Sequence, residues 1–320
     1  MSEFSIIEKY FLPLAQGHTE AANFKNDTAS LVVPKGYELV VSSDTLSAGV
    51  HFLSNEKPQF IAHKALRVNL SDLAASGAEP YCYQLCIAFD GRPAPAWLRA
   101  FTGALLKDQK KFGIFCCGGD TTRISGPLNI TLTVFGLVPK GKAMTRSGAK
   151  PGDALVITGA VGDALIGLRI LQKKIKMQSA SCVRAYRMPM PRTEIAETLR
   201  MYARAAIDIS DGLLADAGHI AQASGCGLEI DTNALLFSSA ARMLMKAGTI
   251  SPLDLITGGD DYELALAVAP PKLPALIKRL EHAGLKPQAI GRFVKGRSGV
   301  TVYGKDGRPI RLKTKGWQHF

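Results

Sequence analysis

The sequence predicts a mixed α/β protein of two related domains, an N-terminal mixed sheet with helices and a C-terminal α/β domain. Strand-like and helix-like patterns alternate in both halves, without the strict strand–helix repetition of a parallel barrel. A length of 320 residues and a hydrophobic content of 47% are enough for two full cores. Glycine and proline interrupt the patterns at 139–142 and 147–152, which divides the chain into domains at 1–142 and 143–320.

The first half presents acids beside strands and on a helix. Strands are predicted at 29–33, 37–41, 82–89, 114–117 and 128–138, and helices from Pro58 to Gly77 and from Pro95 to Phe112. The strand at 37–41 runs into Ser42-Ser43-Asp44-Thr45 and the strand at 114–117 into Gly118-Gly119-Asp120, so an acid is expected at the end of each strand. The two glycines let the backbone turn and approach a ligand closely. Asp72 lies on the first helix.

The stretch Ile207-Asp208-Ile209-Ser210-Asp211-Gly212 predicts a short strand that ends where a helix begins. Its isoleucines alternate with Asp208 and Ser210, so the isoleucines face a core and the polar residues face outward together. Two carboxylates and a hydroxyl are oxygen ligands that suit Mg²⁺, and the N–H groups at the start of the following helix favour a phosphate. The alternative interpretation is an ordinary Asp N-cap with an Asp-Gly turn.

Two motifs of the first half recur in the second half. Ser71-Asp72 recurs as Ser210-Asp211, and Gly118-Gly119-Asp120 recurs as Gly258-Gly259-Asp260. Both offsets are about 140 positions, and a shared offset is typical of an ancestral duplication. The sequence therefore predicts two halves of similar topology, with acidic loops at matching places in each half.

The composition narrows the functional class. A net charge of +12 is spread over small basic clusters rather than one stripe, which favours attraction of a nucleotide over binding to nucleic acid. A basic nucleic-acid-binding protein is the alternative, but it leaves the acids unexplained. Neither a secretory signal nor a membrane-crossing apolar span is found, so we expect a cytoplasmic protein without a membrane partner. Six cysteines without paired spacing predict buried free thiols.

Familiar nucleotide-binding motifs do not account for these residues. The segment from Gly136 to Ala143 almost fits the Walker phosphate loop, but Ala143 lacks the hydroxyl that Mg²⁺ needs and Pro139 lacks an N–H. The Rossmann glycine pattern and the protein-kinase triplets are missing as well. Six acids remain, each beside an oxygen-rich or glycine-rich end of an element: Asp27, Asp44, Asp72, Asp120, Asp208 and Asp211. Such a cluster repels itself and requires cations, and several Mg²⁺ ions holding a polyphosphate would supply them.

With these motifs in this order, the chain resembles the thiamine-monophosphate kinase family, within the superfamily of aminoimidazole-ribonucleotide-synthetase-like ATP enzymes. The motifs that carry the resemblance span nearly the whole chain: Ser42-Ser43-Asp44-Thr45-Leu46, Gly49-Val50-His51-Phe52, Lys64-Ala65-Leu66, Val68-Asn69-Leu70-Ser71-Asp72-Leu73-Ala74-Ala75, Gly118-Gly119-Asp120-Thr121-Thr122-Arg123, Thr145-Arg146-Ser147-Gly148-Ala149, Ile207-Asp208-Ile209-Ser210-Asp211-Gly212, Gly258-Gly259-Asp260-Asp261-Tyr262-Glu263, and the Trp317 to Phe320 end. The resemblance implies two α/β domains and a homodimer built through the N-terminal sheets.

The resemblance also implies a reaction and a set of site residues. The reaction is direct in-line transfer of the ATP γ-phosphoryl group to thiamine monophosphate, giving thiamine diphosphate, with several Mg²⁺ ions. The implied Mg²⁺ ligands are Asp27, Ser42, Ser43, Asp44, Asp72, Asp120, Asp208 and Asp211. The implied ATP contacts are Gly119, Asp120, Arg146 and Ser210, and the implied catalytic set is Asp120, Arg146 and Asp208. The implied contacts to thiamine monophosphate are His51, Asp260 and Trp317.

One corner of the implied site departs from the family pattern. Where the family usually has Gly-Asp-Asp or a close Asp-Asp pair, this chain has Lys25-Asn26-Asp27-Thr28. Asn26 is neutral, so one Mg²⁺ fewer, or one bound more weakly, is expected there. Sister enzymes that activate a carbonyl oxygen or make selenophosphate are further alternatives, but this chain lacks a reactive cysteine in a glycine-rich N-terminal segment. His51 and Trp317 also have ordinary interpretations, as a strand-end histidine and a tail residue packed on the core.

Overall fold

The chain forms two compact units, which the computed structural model describes over residues 2–312 and at Gly316. Unit 1 comprises the chain up to Leu73 together with Ala78–Gly141, and unit 2 comprises Ala74–Gly77 together with the chain from Lys142 onward. Each unit contains one sheet of mixed strand orientation. The predicted mixed α/β class is confirmed. None of the helices in the described part of the chain has the length and hydropathy of a membrane span.

Unit 1 is built on a four-stranded sheet. Its strands are β1 (Tyr37–Ser47), β2 (Glu79–Phe89), β3 (Phe115–Arg123) and β4 (Asn129–Pro139), and its helices are α1 (Glu3–Ile6), α2 (Pro58–Ala75) and α3 (Pro95–Phe112). A π-helical turn at Ile7–Phe11 and 3₁₀ turns at Leu12–Ala15 and Thr19–Phe24 follow α1. The order across the sheet is β1-β4-β2-β3, with β2 and β3 parallel and the other neighbours antiparallel. β1 and β3 are therefore the two edge strands.

The two faces of this sheet differ in chemistry. Directly paired residues of neighbouring strands face the same side of a sheet. One such row joins Asp44, Leu132 and Leu85, and both leucines are buried. The adjacent row is polar and consists of Thr45, Thr131, Cys86 and Asp120. We call the side that carries this second row, together with Val41 and Ser43, the polar sheet face.

Several strand predictions for unit 1 are wrong in their extent. β1 continues to Ser47 and β3 to Arg123, so Asp44 and Asp120 lie within strands rather than at strand ends. The strand predicted at 29–33 does not form. β1 extends to Ser47 because it pairs with β4 over its whole length. This pairing keeps residues 42–47 in a strand although their composition alone predicts a turn.

Helix α3 has the bounds that the sequence predicts, Pro95–Phe112. Proline fits the first turn of a helix, and Gly113 ends the helix in the left-handed conformation, with φ 65°. Leu98 and Leu105, two turns apart, are both fully buried. Start signal, stop signal and apolar spacing therefore agree in this helix, which is why its limits can be predicted.

Unit 2 is built on a six-stranded sheet. Its strands are β5 (Ala154–Ile157), β6 (Ala203–Asp208), β7 (Gly227–Asp231), β8 (Leu264–Val268), β9 (Gln288–Val294) and β10 (Gly299–Tyr303). Its helices are α4 (Asp163–Leu171), α5 (Ala180–Arg187), α6 (Ala196–Tyr202), α7 (Leu213–Ala223), α8 (Ser239–Lys246), α9 (Pro252–Thr257) and α10 (Leu273–His282). The order is β10-β7-β9-β5-β8-β6, and only the pair β7 and β10 is parallel.

Both faces of the unit 2 sheet are buried. Along β8 the side chains alternate between two hydrophobic clusters: Ala265 belongs to one cluster with Leu214 of α7, and Leu266 belongs to the other with Leu276 of α10. A strand covered on both sides is apolar throughout, and all five residues of β8 are buried. The helices that cover this sheet therefore fix the strand ends and the loops that follow them.

The two repeated motifs do not occupy equivalent structure. Ser71-Asp72 lies within α2, whereas Ser210-Asp211 lies in the loop between β6 and α7. Gly118-Gly119-Asp120 lies within β3, whereas Gly258-Gly259-Asp260 follows α9 as a loop. The prediction of acidic loops at matching places in the two halves is therefore wrong. Short motifs of a few residues recur too easily to establish structural equivalence without a longer match.

A buried ionic cluster joins α2 to α3. Asp108 is 1% exposed, and its carboxylate accepts hydrogen bonds from Arg67 Nε at 2.8 Å and Nη2 at 2.7 Å. His63 Nδ1 donates to the same carboxylate at 2.8 Å. Burial raises the pKa of Asp108, but the hydrogen bonds from His63 and Arg67 outweigh it and hold the pKa below its usual value. The cluster thus keeps Asp108 ionised inside unit 1.

We expect Asp108→Ala to lower the free energy of unfolding by about 3–5 kcal/mol, because the buried Arg67 guanidinium loses its carboxylate. Urea unfolding followed by circular dichroism measures this loss. Asp90→Ala, at an exposed position of unit 1, is the control and should change the free energy by less than about 0.5 kcal/mol. Equal effects of the two substitutions would contradict the role given to the cluster.

The same cluster predicts a pH dependence. Folding lowers the pKa of Asp108, so its carboxylate stabilises the native state fully above the unfolded-state pKa of about 3.9. That contribution is lost as the pH falls through the folded-state value. Urea unfolding of the wild type and of Asp108→Asn should therefore give stabilities that converge on acidification below pH ~4.

Candidate functional site

The loop between β6 and α7 carries three of the expected site residues. Asp208 is the last residue of β6 and is only 5% exposed, and Ser210 and Asp211 follow it in the loop. Gly212 then has φ 113°, a conformation that L side chains rarely adopt, and a Cβ at this position would lie 2.8 Å from the carbonyl oxygen of Thr257. The glycine is therefore required for the chain to turn from β6 into α7.

A second loop packs against the first. The Asp260 N–H donates to the carbonyl oxygen of Ser210 at 2.8 Å, and the Tyr262 N–H donates to that of Ile209 at 2.8 Å. A Cβ on Gly259 would lie 2.3 Å from the Ser210 carbonyl oxygen, so only glycine permits this approach. The structure thus brings Asp208, Ser210, Asp211 and Asp260 together in unit 2.

Asp216, which was not among the expected site residues, organises this loop. Its side chain is 3% exposed, and Oδ2 accepts hydrogen bonds from the backbone N–H groups of Ser210 and Asp211, each at 3.0 Å. The pKa of Asp216 is raised to about 7, chiefly by burial and also by repulsion from Asp211, while the two N–H groups and Arg146 partly oppose the rise. The available sequence signal was an acid in the first turn of the helix, which ordinary helices share.

Arg146 belongs to the same group of unit 2 residues. It is exposed, and the preceding residue, Thr145, is tied to β6 because its carbonyl oxygen accepts the Ala206 N–H at 3.1 Å. Its charge acts on the carboxylate of Asp216. A cation is therefore placed within electrostatic reach of the acidic loop, where it can attract phosphate oxygens.

In unit 1, one group of expected ligands lies where β1 meets α2. Ser42 Oγ donates to Asp72 Oδ2 at 2.5 Å, and the Asp44 N–H donates to Asn69 Oδ1 at 3.0 Å. Ser43 does not join them, because the next residue of a strand faces the other side; its hydroxyl pairs with that of Thr133 at 2.9 Å on the polar sheet face.

His51 follows β1 in a turn. The Ser47 N–H donates to its Nδ1 at 3.0 Å, so the neutral ring carries its proton on Nε2. The backbone therefore fixes both the tautomer and the orientation of the ring. A neutral histidine held in this way can present a hydrogen-bond donor. Trp317, the other aromatic residue expected to hold thiamine monophosphate, lies outside the described residues.

A second group in unit 1 lines a pocket of about 280 Å³ beside β3. Asn26, Asp27, Gly119 and Asp120 line it together with apolar side chains such as Phe11. Asp27 is the carboxylate of this wall, and the neighbouring Asn26 is neutral. Both acids of the pocket, Asp27 and Asp120, are exposed, so they remain accessible to a cation from solution.

Gly119 allows β3 to run close to β2. Its φ is 151°, and a Cβ there would lie 1.9 Å from the carbonyl oxygen of Leu85. β3 is locally irregular, since Tyr83 pairs with Cys116 and Gln84 with Gly118, which leaves Cys117 as an extra residue. The bulge and the glycine together aim Asp120 at the pocket from inside a strand.

The two acid groups of unit 1 do not converge within one sheet. Asp44 lies on β1 and Asp120 on β3, which are separated by three strand spacings of ~4.8 Å, or about 14 Å. Within residues 2–312 and Gly316, no three His, Cys, Asp or Glu side chains are arranged to hold a metal ion. The eight proposed ligands nevertheless all offer oxygen donors, the ligands that Mg²⁺ prefers, so their chemistry fits this ion.

Comparisons with known proteins identify the family. The model of the AIR synthase related protein N-terminal domain matches residues 25–138, and that of the AIR synthase related protein C-terminal domain matches residues 150–304. A thiamine-monophosphate kinase of Escherichia coli (strain K12) is 40% identical over 323 residues, which cover 99% of this chain and 98% of that protein. The chain belongs to the thiamine-monophosphate kinase family. The resemblance found in the motifs is confirmed.

Solved structures of the family share the fold. Thiamine-monophosphate kinase from Stenotrophomonas maltophilia K279a is 34% identical, with a TM-score of 0.85 over 97% of this chain and 98% of that chain. AaThiL, solved as a complex with AMPPCP and TMP, is 27% identical, with a TM-score of 0.79 over 99% of this chain and 97% of that chain. The similarity therefore extends over both units of this thiamine-monophosphate kinase family member.

We expect Gly119→Ala to cost more stability than Gly126→Ala. Both glycines have φ near 150°, so each substitution introduces backbone strain of about 1–3 kcal/mol. Only at Gly119 does the new methyl group also collide with the backbone of β2; at Gly126 nothing lies within 4 Å. Urea unfolding of both variants measures the difference, and equal losses would show that the close approach of β3 to β2 is not rigid.

Proposed function

We propose that this chain transfers the γ-phosphoryl group of ATP directly to the phosphate of thiamine monophosphate, forming thiamine diphosphate, with several Mg²⁺ ions. The observation that carries the proposal is the hydrogen-bonded pair of loops in unit 2. It holds Ser210 and Asp211, assigned to ATP and metal, against Asp260, assigned to the acceptor. The chain's relatives named thiamine-monophosphate kinase support this assignment of substrates.

The acceptor needs no general base. The second pKa of a phosphate monoester is about 6, so thiamine monophosphate is largely ionised at neutral pH. The barrier is instead the repulsion between two polyanions that must be held in line. When bound, Mg²⁺ supplies charge neutralisation of the phosphate oxygens. Arg146 adds a positive charge from the protein itself, and we assign it with Asp120 and Asp208 to the catalytic set.

The remaining assignments follow from the donors that each residue offers. We propose Asp27, Asp44, Asp72, Asp120, Asp208 and Asp211, with Ser42 and Ser43, as oxygen ligands to Mg²⁺. The backbone of Gly119 and the side chain of Ser210 are proposed to contact ATP. His51 would donate from Nε2 to the phosphate of thiamine monophosphate, with Asp260 on the same substrate and Trp317 against its cationic rings.

We also propose a homodimer formed through the polar sheet face. Val41 is 54% exposed on this face, beside a polar row that contains Asp120. A two-fold axis parallel to the strands would place the β3 edge of one sheet opposite the β1 edge of the other. Ser43 of β1 and Asp120 of β3, which both lie on the polar sheet face, would then approach each other across the interface.

We further propose that the protein acts in the cytoplasm. All six cysteines are free thiols, and five of them are buried. Free thiols are typical of proteins kept in a reducing compartment, where buried cysteines behave as small apolar residues.

We expect the wild type to consume ATP only when thiamine monophosphate and Mg²⁺ are present, with thiamine diphosphate as the product detected by chromatography. Asp120→Asn should lower turnover by about 10²-fold or more, because a metal ligand loses its charge. Asp90→Asn, an exposed acid of unit 1 outside the site, is the matched control and should retain wild-type turnover. Near-normal turnover of Asp120→Asn with an intact fold would remove Asp120 from the metal set.

We expect a dimer in solution by light scattering, and Val41→Lys should shift it towards the monomer because a charge would be buried in the interface. Met243→Lys, at a 60% exposed position of α8 in unit 2, is the control and should leave the mass unchanged. An unchanged mass for Val41→Lys would contradict an interface on the polar sheet face.

A further inference from the structure

We propose that Asp216 is a positioning residue that fixes one arrangement of the loop between β6 and α7 and, through that loop, of Asp260. The inference rests on the proposed function, since it assigns Ser210 and Asp211 to the ATP side and Asp260 to the acceptor side. In this role the buried carboxylate of Asp216 contacts neither substrate, but it determines the relative positions of the residues assigned to the substrates.

Two backbone N–H groups converge on one oxygen of Asp216. Consecutive peptide groups, those that carry the N–H of Ser210 and of Asp211, both donate to Asp216 Oδ2 at 3.0 Å. Two bonds to one acceptor fix the orientation of both peptide planes. The Asp216 N–H in turn donates to the carbonyl oxygen of Gly212 at 3.1 Å, so the carboxylate is anchored in α7.

The same hydrogen-bond network continues to the loop that contains Asp260. Asp216 accepts the N–H of Ser210, and the carbonyl oxygen of Ser210 accepts the Asp260 N–H at 2.8 Å. Asp260 has φ 73° and Tyr262 has φ 53°, in the left-handed region that is costly for such residues. Strained residues persist only where the surrounding structure fixes them. If Asp216 no longer fixed the position of Ser210, the position of Asp260 would no longer be fixed either.

Burying the acid Asp216 has an energetic cost. A carboxylate that is 3% exposed loses most of its hydration, which is unfavourable unless hydrogen bonds replace it. The Ser210 and Asp211 N–H groups do so, and they would otherwise be left without an acceptor beside a helix N-terminus. A purely apolar side chain at this position could fill the space but could not hold the loop. The role requires an acceptor oxygen.

Two substitutions separate this role from general stabilisation. Asp216→Asn keeps an acceptor oxygen that both N–H groups can reach, whereas Asp216→Ala removes it. Asp153→Asn is the matched control: Asp153 is 2% exposed and accepts the Lys150 N–H at 2.8 Å. It precedes β5, whose Ala154 pairs with Val268, at the opposite end of β8 from the residue that pairs with Asp208.

The experiment measures binding as well as turnover. Calorimetric titration with a non-hydrolysable ATP analogue in the presence of Mg²⁺ gives Kd, and steady-state kinetics give KM for thiamine monophosphate and kcat. We expect Asp216→Ala to weaken both Kd and KM by about 10–100-fold, the loss typical of groups that orient ligating residues. Asp216→Asn should remain close to the wild type. Asp153→Asn should lower the melting temperature without changing Kd or KM.

Two results would overturn the inference. One is wild-type Kd and KM in Asp216→Ala, whatever its melting temperature. The other is equal loss in Asp216→Asn and Asp216→Ala, because the retained acceptor would then have no value. Failure of the proposed function is distinguishable: the wild type would form no thiamine diphosphate, while calorimetry on the same variants would still report whether Asp216 positions the nucleotide-binding loop.

Discussion

Backbone hydrogen bonds between the loop 209–212 and the loop 258–262 are the constraint on which the candidate site of unit 2 depends. They can form only because two glycines let the chains touch: a Cβ on Gly259 would lie 2.3 Å from a carbonyl oxygen of the first loop, and a Cβ on Gly212 would lie 2.8 Å from one near the second. Each motif therefore contains a residue that the other motif requires. The glycines and acids of the two motifs form one structural unit although about fifty residues separate them in sequence.

The three acids of the second motif, Asp260, Asp261 and Glu263, make different contacts. The backbone N–H of Asp260 donates to the first loop, whereas Asp261 Oδ2 accepts the Gly162 N–H at 2.8 Å at the start of α4. Burial raises the pKa of Asp261 well above its usual value. Glu263 is buried, accepts Thr158 Oγ1 at 2.6 Å and is paired with Arg192. The two acids that follow Asp260 thus attach the loop to the core of unit 2.

The sequence predicts elements well where local signals agree, and poorly where a partner strand decides. The bounds of α3, Pro95–Phe112, follow from its proline, its glycine and its apolar spacing. β1 and β3 extend past their predicted ends because pairing with β4 and β2 continues through serine and glycine. The length of a strand depends on its hydrogen-bonded neighbour, so the composition of the strand alone does not predict it.

The residue types of the site could be predicted, but their grouping could not. Asp216 looks like any first-turn acid until its two N–H donors are seen, and Ser43 looks equivalent to Ser42 until the strand alternation sends it to the other face. The strand order β1-β4-β2-β3 separates Asp44 from Asp120, and order across a sheet depends on contacts between distant segments. Within this sheet the two acids lie on the edge strands and on opposite faces, so no single face of the sheet presents both of them.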